Sequence, residues 1–439
     1  MKRFVWALLA TFWVCAPARA AMDLAQAFEL ARQADPAFQA SRQELAGLAE
    51  VVPQARAALL PNVSASASRN RVWLDRQEQG GDVESNYYSL NNSLVLRQPL
   101  WRRPQMLQLE QAKTQADTQA FVQRRAEADL LLRVASAYFD LLYADQSVDL
   151  LRSVAAASAR QLVSARRSFE LGQGTRTDID EALARSDLAL AQSVQVRQNR
   201  DMALRQMAIL VGQEVQAFKP MRIEADEPLR PPGSLDEWLA KAKRHNPELQ
   251  LARSKLALAE LEVTKTQAAH DPTLDLVAQR TLSKSENTQS PNANYRSSQV
   301  GVQLNVPLYA GGGVQSAVRQ AVANREREQF IVAQASNDLA LKVQREYHAL
   351  AEGPERLQAA RQALRSASQL VVSTSKGMQA GTRTVVDQLN AVQREAETRR
   401  ELALVHYQLQ LAWLKLAALS GDALQASVDE VNRQLQAVQ

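Results

Sequence analysis

The chain of 439 residues has one cysteine, four histidines, few aromatic residues and only 15 glycines and 15 prolines. Its cysteine, Cys15, falls in a segment built like an export signal: Lys2-Arg3, an apolar run over 4–14, then Ala18-Arg19-Ala20. That run is too short to cross a bilayer. The expectation is a signal peptide over 1–20 and a mature chain with no thiol, disulfide or cysteine-based metal site. The bulky Phe12-Trp13-Val14 before Cys15 do not suit a lipidated first residue. His245, His270, His348 and His406 stand singly, without metal-ligand spacing. Gly311-Gly312-Gly313 lacks the lysine and the spacing of a phosphate loop, and reads as a flexible joint. No catalytic constellation and no cofactor motif is present, so the chain reads as a non-enzyme. Setting aside Lys2, Arg3 and Arg19 leaves 49 of 52 basic residues against 47 acidic ones. That near balance removes the case for a nucleic-acid partner. Beyond the signal, no stretch reads as the eighteen or so apolar residues of a membrane helix.

What the chain has is repetition. Asp35-Pro36 returns as Asn246-Pro247, Leu60-Pro61 as Asp271-Pro272, and Arg97-Gln98-Pro99-Leu100-Trp101 as Asn305-Val306-Pro307-Leu308-Tyr309. Gly174-Thr175-Arg176-Thr177 returns as Gly381-Thr382-Arg383-Thr384, and Leu210-Val211-Gly212 as Leu419-Ser420-Gly421. Matches in one order along two halves imply a duplicated unit. The expected divisions are a first repeat over 21–213, a linker over 214–234, a second repeat over 235–421 and a tail over 422–439.

Most of each half favours helix, being rich in Ala, Leu, Gln, Arg and Glu. Residues 103–171 hold no glycine, and their one proline, Pro104, sits at the start. As one helix they would form a rod of about 100 Å. A seam of 3.5-residue period runs through Val134, Ala137, Leu141, Ala144 and Val148, and a second through Leu339, Val343, Leu350, Leu357 and Leu364. Such seams predict coiled-coil packing. Glu352-Gly353-Pro354 predicts a kink, and Asp35-Pro36 and Asn246-Pro247 predict capped helix starts.

Four short stretches, 61–69, 87–99, 272–281 and 297–309, alternate with period two instead. Val300, Val302, Leu304, Val306 and Leu308 alternate with Gln299, Gly301, Gln303 and Asn305. Polar loops over 73–86 and 284–294 are expected to join each pair. Ten strand residues cover about 33 Å, enough to cross a membrane at a tilt. Four strands cannot close a transmembrane barrel, and open edges do not survive in lipid. Either these are hairpins on a soluble protein or several chains pool them. The export signal and the long cysteine-free rods favour pooling.

A duplicated chain of strand pairs between very long helices resembles the TolC outer-membrane channel family. The most specific marker is Gly381-Thr382-Arg383-Thr384-Val385-Val386-Asp387-Gln388-Leu389-Asn390, close to the family's helix-turn signature. The resemblance implies a mixed fold: a long α-helical coiled-coil tunnel plus a 12-stranded transmembrane β-barrel, pooled from four strands in each chain of a homotrimer. It places the barrel in outer-membrane lipid and the tunnel in the periplasm. It implies a passive exit duct, working with a periplasmic adaptor and an inner-membrane ABC transporter or proton-driven pump. The same marker is similar to type I protein secretion members; multidrug or metal efflux is the alternative within channels. A coiled-coil binding protein that conducts nothing is the alternative outside them. Composition alone reads 218–234 and 422–439 as linkers, whereas the resemblance puts them in a belt around the tunnel.

The resemblance also assigns a gate. Arg383 matches the arginine that ties neighbouring helices, Thr177 and Asp178 match its partners, and Asp387 matches an acidic ring position. Three convergent Asp387 carboxylates would attract cations and raise one another's pKa. Asn390 stands where the family's best-known member has a second aspartate and Met378 where that member has a tyrosine, so a weaker cation site and a looser latch are expected. Gly172, Gly174, Gly377 and Gly381 are assigned to turn geometry at a tip that an adaptor touches. Tyr87, Tyr88, Trp101 and Tyr309 are read as membrane-interface anchors at strand ends.

Overall fold

The computed structural model describes residues 21–78, 81–215, 217–221, 230–287, 290–422 and 424–435. The expected signal peptide and part of the expected linker lie outside them. The chain opens with α1 (Leu24–Ala34), α2 (Pro36–Ala49) and α3 (Val51–Ala57), then the hairpin β1 (Asn62–Glu78) and β2 (Gly81–Trp101). Next come α4 (Arg103–Ala116), α5 (Gln119–Glu170) and α6 (Arg176–Val211). The second half runs α7 (Leu235–His245), α8 (Pro247–Gln267), β3 (Thr273–Asn287), β4 (Ser290–Asn305), α9 (Gly313–Ala351), α10 (Gly353–Gln379) and α11 (Val385–Ser420), and ends in α12 (Leu424–Arg433).

The helix starts arise as expected. Asp35 accepts from the Phe38 amide and Asn246 from the Leu249 amide, each followed by proline in the first turn. Arg133 of α5 then grips Asp35 with two hydrogen bonds of 3.1 and 2.6 Å, fixing α2 against the long helix. The seam residues Val134, Leu141, Val343, Leu350 and Leu357 are all fully buried. The break at Glu352 is also where the sequence puts it. The single rod over 103–171 is not observed. It divides at Asp117-Thr118, where buried Thr118 donates its hydroxyl back to the Gln115 carbonyl at 2.6 Å. A threonine bonding to its own helix competes with the ladder and bends it. With no Gly or Pro there, the sequence pattern carried no warning. The C-terminal half of α11 is apolar enough to pass for a spanning helix, but 67% of that window is buried inside the chain. Its apolarity serves the core.

The strands form one antiparallel sheet in the order β1-β2-β3-β4. They run further toward the hairpin ends than expected, since the supposed polar loops are themselves paired: Trp73 opposes Asn86, Asp75 opposes Glu84, and Lys284 opposes Asn294, whereas β4 stops at Asn305, short of the expected 309. Ladder hydrogen bonds do not require apolar alternation, so polar flanks can extend a hairpin unnoticed. The register sorts the side chains. Val63, Leu96, Ala278 and Val300 share one row, Leu276 and Val302 another, and Leu274 and Leu304 a third, all on one face. The opposite face carries Ser64, Ser66, Ser93, Gln279, Gln299 and Gln303, where Ser66 bonds Ser93 at 2.8 Å and Gln299 bonds Gln279 at 2.9 Å. At the sheet's base, Arg102 holds buried Asp275 through hydrogen bonds of 2.8 and 2.5 Å. This pair fastens the end of β2, in the first half, to β3 in the second.

The segments that composition reads as linkers pack onto the helices. Met22 bridges Phe218, Met221 bridges Leu435, and Val428 and Val431 of α12 are fully buried. Tyr138 donates its hydroxyl to the Lys219 carbonyl at 2.9 Å, and Lys219 pairs with Asp23 at 2.9 Å. Beneath this clamp, His406 Nδ1 lies 3.1 Å from Met221 Sδ, and its buried Nε2 has no hydrogen-bond partner among the described residues. Burial, helped by nearby Arg361, lowers the His406 pKa to about 4. The unfolded chain therefore binds one more proton between about pH 6.5 and pH 4. Stability is full above that window and is lost as pH falls through it, by about 3 kcal/mol. We predict that denaturant unfolding at pH 7.5 and pH 4.5 differs less in His406→Gln than in wild type. Equal pH slopes would refute this.

Candidate functional site

Far from the sheet, the helices end in two turns, one between α5 and α6 and one between α10 and α11. Both are built the same way. Thr175 caps α6, its backbone N–H and hydroxyl both donating to Asp178 Oδ2 at 2.8 Å, while the Asp178 amide donates back to Thr175 Oγ1 at 3.2 Å. Thr384 and Asp387 reproduce this on α11 at 2.9, 2.9 and 3.2 Å. Reciprocal caps of this kind satisfy donors that a helix start leaves free. Gly172 and Gly381 precede them by three residues, with φ of +74° and +75°, a region closed to most side chains.

The structure thus moves the sequence match of the two turns by two residues. Gly172, Thr175 and Asp178 are the counterparts of Gly381, Thr384 and Asp387, and Gly174 is not the counterpart of Gly381. Thr-x-x-Asp, read as a cap instead of aligned letter by letter, was the available signal. Asp178 is accordingly the twin of Asp387. Hydrogen bonds from Thr175 and Thr384 hold both carboxylates below the ordinary range, with Arg383 adding to the effect at Asp387. Within one chain this is opposite in sign to the rise expected for a ring of three, because the cap bonds favour the charged form.

Arg383 leaves the second turn with its stem laid along Gly377. A Cβ at Gly377 would come within 2.7 Å of Arg383 Cγ, so the missing side chain makes that path possible. The Gly377 carbonyl also accepts from the amides of Thr382 and Arg383, at 2.9 and 3.2 Å. Arg383, Asp178 and half-buried Met378 border one cleft of about 350 Å³ between the turns. No hydrogen bond joins Arg383 to Asp178 or to the exposed Thr177 among the described residues. The tie between hairpins comes from elsewhere. Arg185 of α6 donates Nη1 to Asn390 Oδ1 at 2.6 Å, and Glu181 holds its Nη2 at 2.9 Å. In the sequence Asn390 stands out only as a missing charge, and Arg185 carries no signal at all, because its partner lies 205 residues away.

Of the four aromatic residues, Trp101 ends β2 on the sheet's apolar face, opposite Leu274. Tyr309 lies beyond β4 and is strongly exposed. Tyr87 and Tyr88 stand within β2, not at its end, and point to opposite faces. Only Tyr88 shares the side of Leu90 and Leu94.

The family described as Outer membrane efflux protein matches residues 27–213 and 238–422. The alkaline protease secretion protein AprF of Pseudomonas aeruginosa is 32% identical over 94% of this chain and 87% of its own length. The proteases secretion protein PrtF of Dickeya chrysanthemi is 30% identical over 91% of this chain and 88% of its own. Among solved structures, the outer-membrane channel OprN superposes with a TM-score of 0.77 at 17% identity, over 92% of this chain and 90% of that one.

Proposed function

Because this chain belongs to the outer membrane efflux protein family, an outer-membrane channel with a helical periplasmic tunnel, we propose that it is the exit duct of a type I protein secretion system. The observation that carries this choice is likeness along nearly the whole chain to two proteins named for protease secretion. The working form is a homotrimer. Each sheet has an apolar face, a polar face and two open edges, β1 and β4. Open edges are not tolerated in lipid, so three sheets joined edge to edge into twelve strands give each ladder a partner. The polar face then lines the lumen. The two halves act as structural repeats, doubling three chains into a nearly even ring of helices.

The capped turns form the periplasmic mouth. Gly172, Gly174, Gly377 and Gly381 keep its surface low where a periplasmic adaptor docks, and an inner-membrane ABC transporter supplies the energy. Three Asp387 carboxylates meet at the axis and attract cations, with Arg383, Thr177, Asp178 and Met378 shaping the mouth beside them. The family's own description as efflux proteins supports a second reading, export of small molecules by a proton-driven pump.

Deleting the gene from its host separates the two. Loss of specific polypeptides from the medium, with unchanged susceptibility to dyes and detergents, supports secretion. Unchanged secreted proteins with raised susceptibility would overturn it in favour of efflux.

A further inference from the structure

The apolar face of the sheet changes character toward the hairpin end. The row after Val63, Leu96, Ala278 and Val300 contains Arg280 beside Leu94, and the next contains Arg296 beside Leu282. Lys284 and Arg69 flank Leu90 in the row above, and Arg71 opposes Tyr88 in the one above that. Five cations therefore stand on the same side as the leucines and valines, and all are exposed. Among the described side chains, no acid occupies this face between Leu304 and Trp73, and no carboxylate pairs with any of the five. Acidic residues return only beyond Trp73, where Asp75 opposes Glu84.

The arginines nearest the hairpin end are held by rings. The Arg69 guanidinium lies 4.7 Å from the centre of Tyr88, and that of Arg71 lies 5.3 Å from Trp73 and 5.8 Å from Tyr88. Such contacts orient the planar charge; Arg71 also donates Nε to Asn86 Oδ1 at 3.0 Å, and no carboxylate takes the remaining N–H edges among the described residues. Height fits too. Arg296 is eight residues along β4 from Leu304, about 27 Å of strand and about 20 Å once tilted. Val306 and Leu308, both exposed, follow directly after the end of β4. A belt of cations with no carboxylate partner among the described residues, at the top of an apolar band, is a costly arrangement unless anions meet it there.

The geometry points to a docking surface for the phosphorylated glycolipid of the outer leaflet: acyl chains against Leu94, Leu282 and Val300, phosphates against Arg69, Arg280 and Arg296. This rests on the barrel reading above. Guanidinium groups bind phosphate bidentately, and the alkyl stems of arginine lie comfortably along acyl chains. The lipid would close the surface around the joints between subunits, where β1 of one chain meets β4 of the next.

The test is native mass spectrometry of the full-length trimer in detergent. The probes are diphosphorylated lipid A, its dephosphorylated form and phosphatidylglycerol. Wild type should retain about five-fold more of the diphosphorylated form than of either other lipid, and Arg69→Gln/Arg280→Gln/Arg296→Gln should lose that excess with its single-channel conductance unchanged. Should the triple variant fail to trimerise, Arg280→Gln and Arg296→Gln singly should each lose about half of the excess. Equal retention by wild type and variants would overturn the proposal, as would equal retention of the dephosphorylated form. Equal binding of phosphatidylglycerol would reduce the belt to a general anion surface and overturn the glycolipid assignment. A wild-type chain that forms no trimer would instead overturn the barrel reading itself.

Discussion

Replacing Arg185 by alanine will leave the duct leaking at rest. Arg185 is half-buried, anchored by Glu181 on its own helix, and donates a charged hydrogen bond of 2.6 Å to Asn390 on α11. It thereby ties one helical hairpin to the other beside the mouth. Hydrogen bonds to a charged group contribute about 1.5–3 kcal/mol, and partial exposure brings this one to about 1 kcal/mol per chain. In the proposed trimer, three chains opening in concert change the open fraction by about two orders of magnitude. Asn390→Asp should act in the opposite sense, because a carboxylate facing Arg185 strengthens the same tie. Resting current through purified channels in planar bilayers, at low divalent concentration, reads both. Unchanged current in Arg185→Ala, or a rise in both variants, would remove Arg185 from the closure.

The second large effect lies at the other end of the tunnel. Asp275 is buried and held by Arg102 through two hydrogen bonds, while the nearby Arg103–Asp271 pair at 3.2 Å is more open to water. Arg102→Ala strands a buried carboxylate, at a cost of about 3 kcal/mol per chain. Removing both partners leaves no such charge, so Arg102→Ala/Asp275→Ala should be more stable than Arg102→Ala alone. Arg103→Ala should cost at most about 1 kcal/mol. The temperature at which the trimer falls to monomers on an SDS gel measures all three. If the double variant is weaker than Arg102→Ala by the full cost of Asp275→Ala, the two residues are not coupled and the joint is held otherwise.

The features legible in the sequence were those whose physics is local. Asp35-Pro36 and Asn246-Pro247 are caps because a side-chain acceptor and a proline suffice to start a helix. The break beside Gly353-Pro354 and the buried seams follow from chain stiffness and period. The break at Thr118 depends on one hydroxyl choosing its own helix's carbonyl, which no periodicity records. The outer parts of the hairpins look like loops in the sequence because most of their residues are polar, although the ladder continues through them. Arg185–Asn390 and Arg102–Asp275 join positions 205 and 173 residues apart, and nothing in either neighbourhood names the partner. The tip was half legible. The Gly-Thr-Arg-Thr letters mark the right turns but set them two residues out of register, because what repeats between the halves is a cap and not a string.

In the proposed barrel, β1 of one chain pairs with β4 of the next, closing three sheets into one. Among the described residues both edges are unpaired within the chain, and the one cysteine, Cys15, lies in the expected signal peptide, where Cys15→Ser removes it from a cross-linking experiment. Ser64→Cys on the polar face of β1 can be paired in turn with Gly301→Cys, Gln303→Cys and Asn305→Cys on the same face of β4. Antiparallel neighbours place opposed Cβ atoms about 4.5–5.5 Å apart, close enough for a disulfide at one register. Mild oxidation in native outer membranes should give covalent dimers and trimers, and no larger species, for one of the three pairs. Only monomers at every register, from protein that has reached the outer membrane folded, would contradict the pooled barrel.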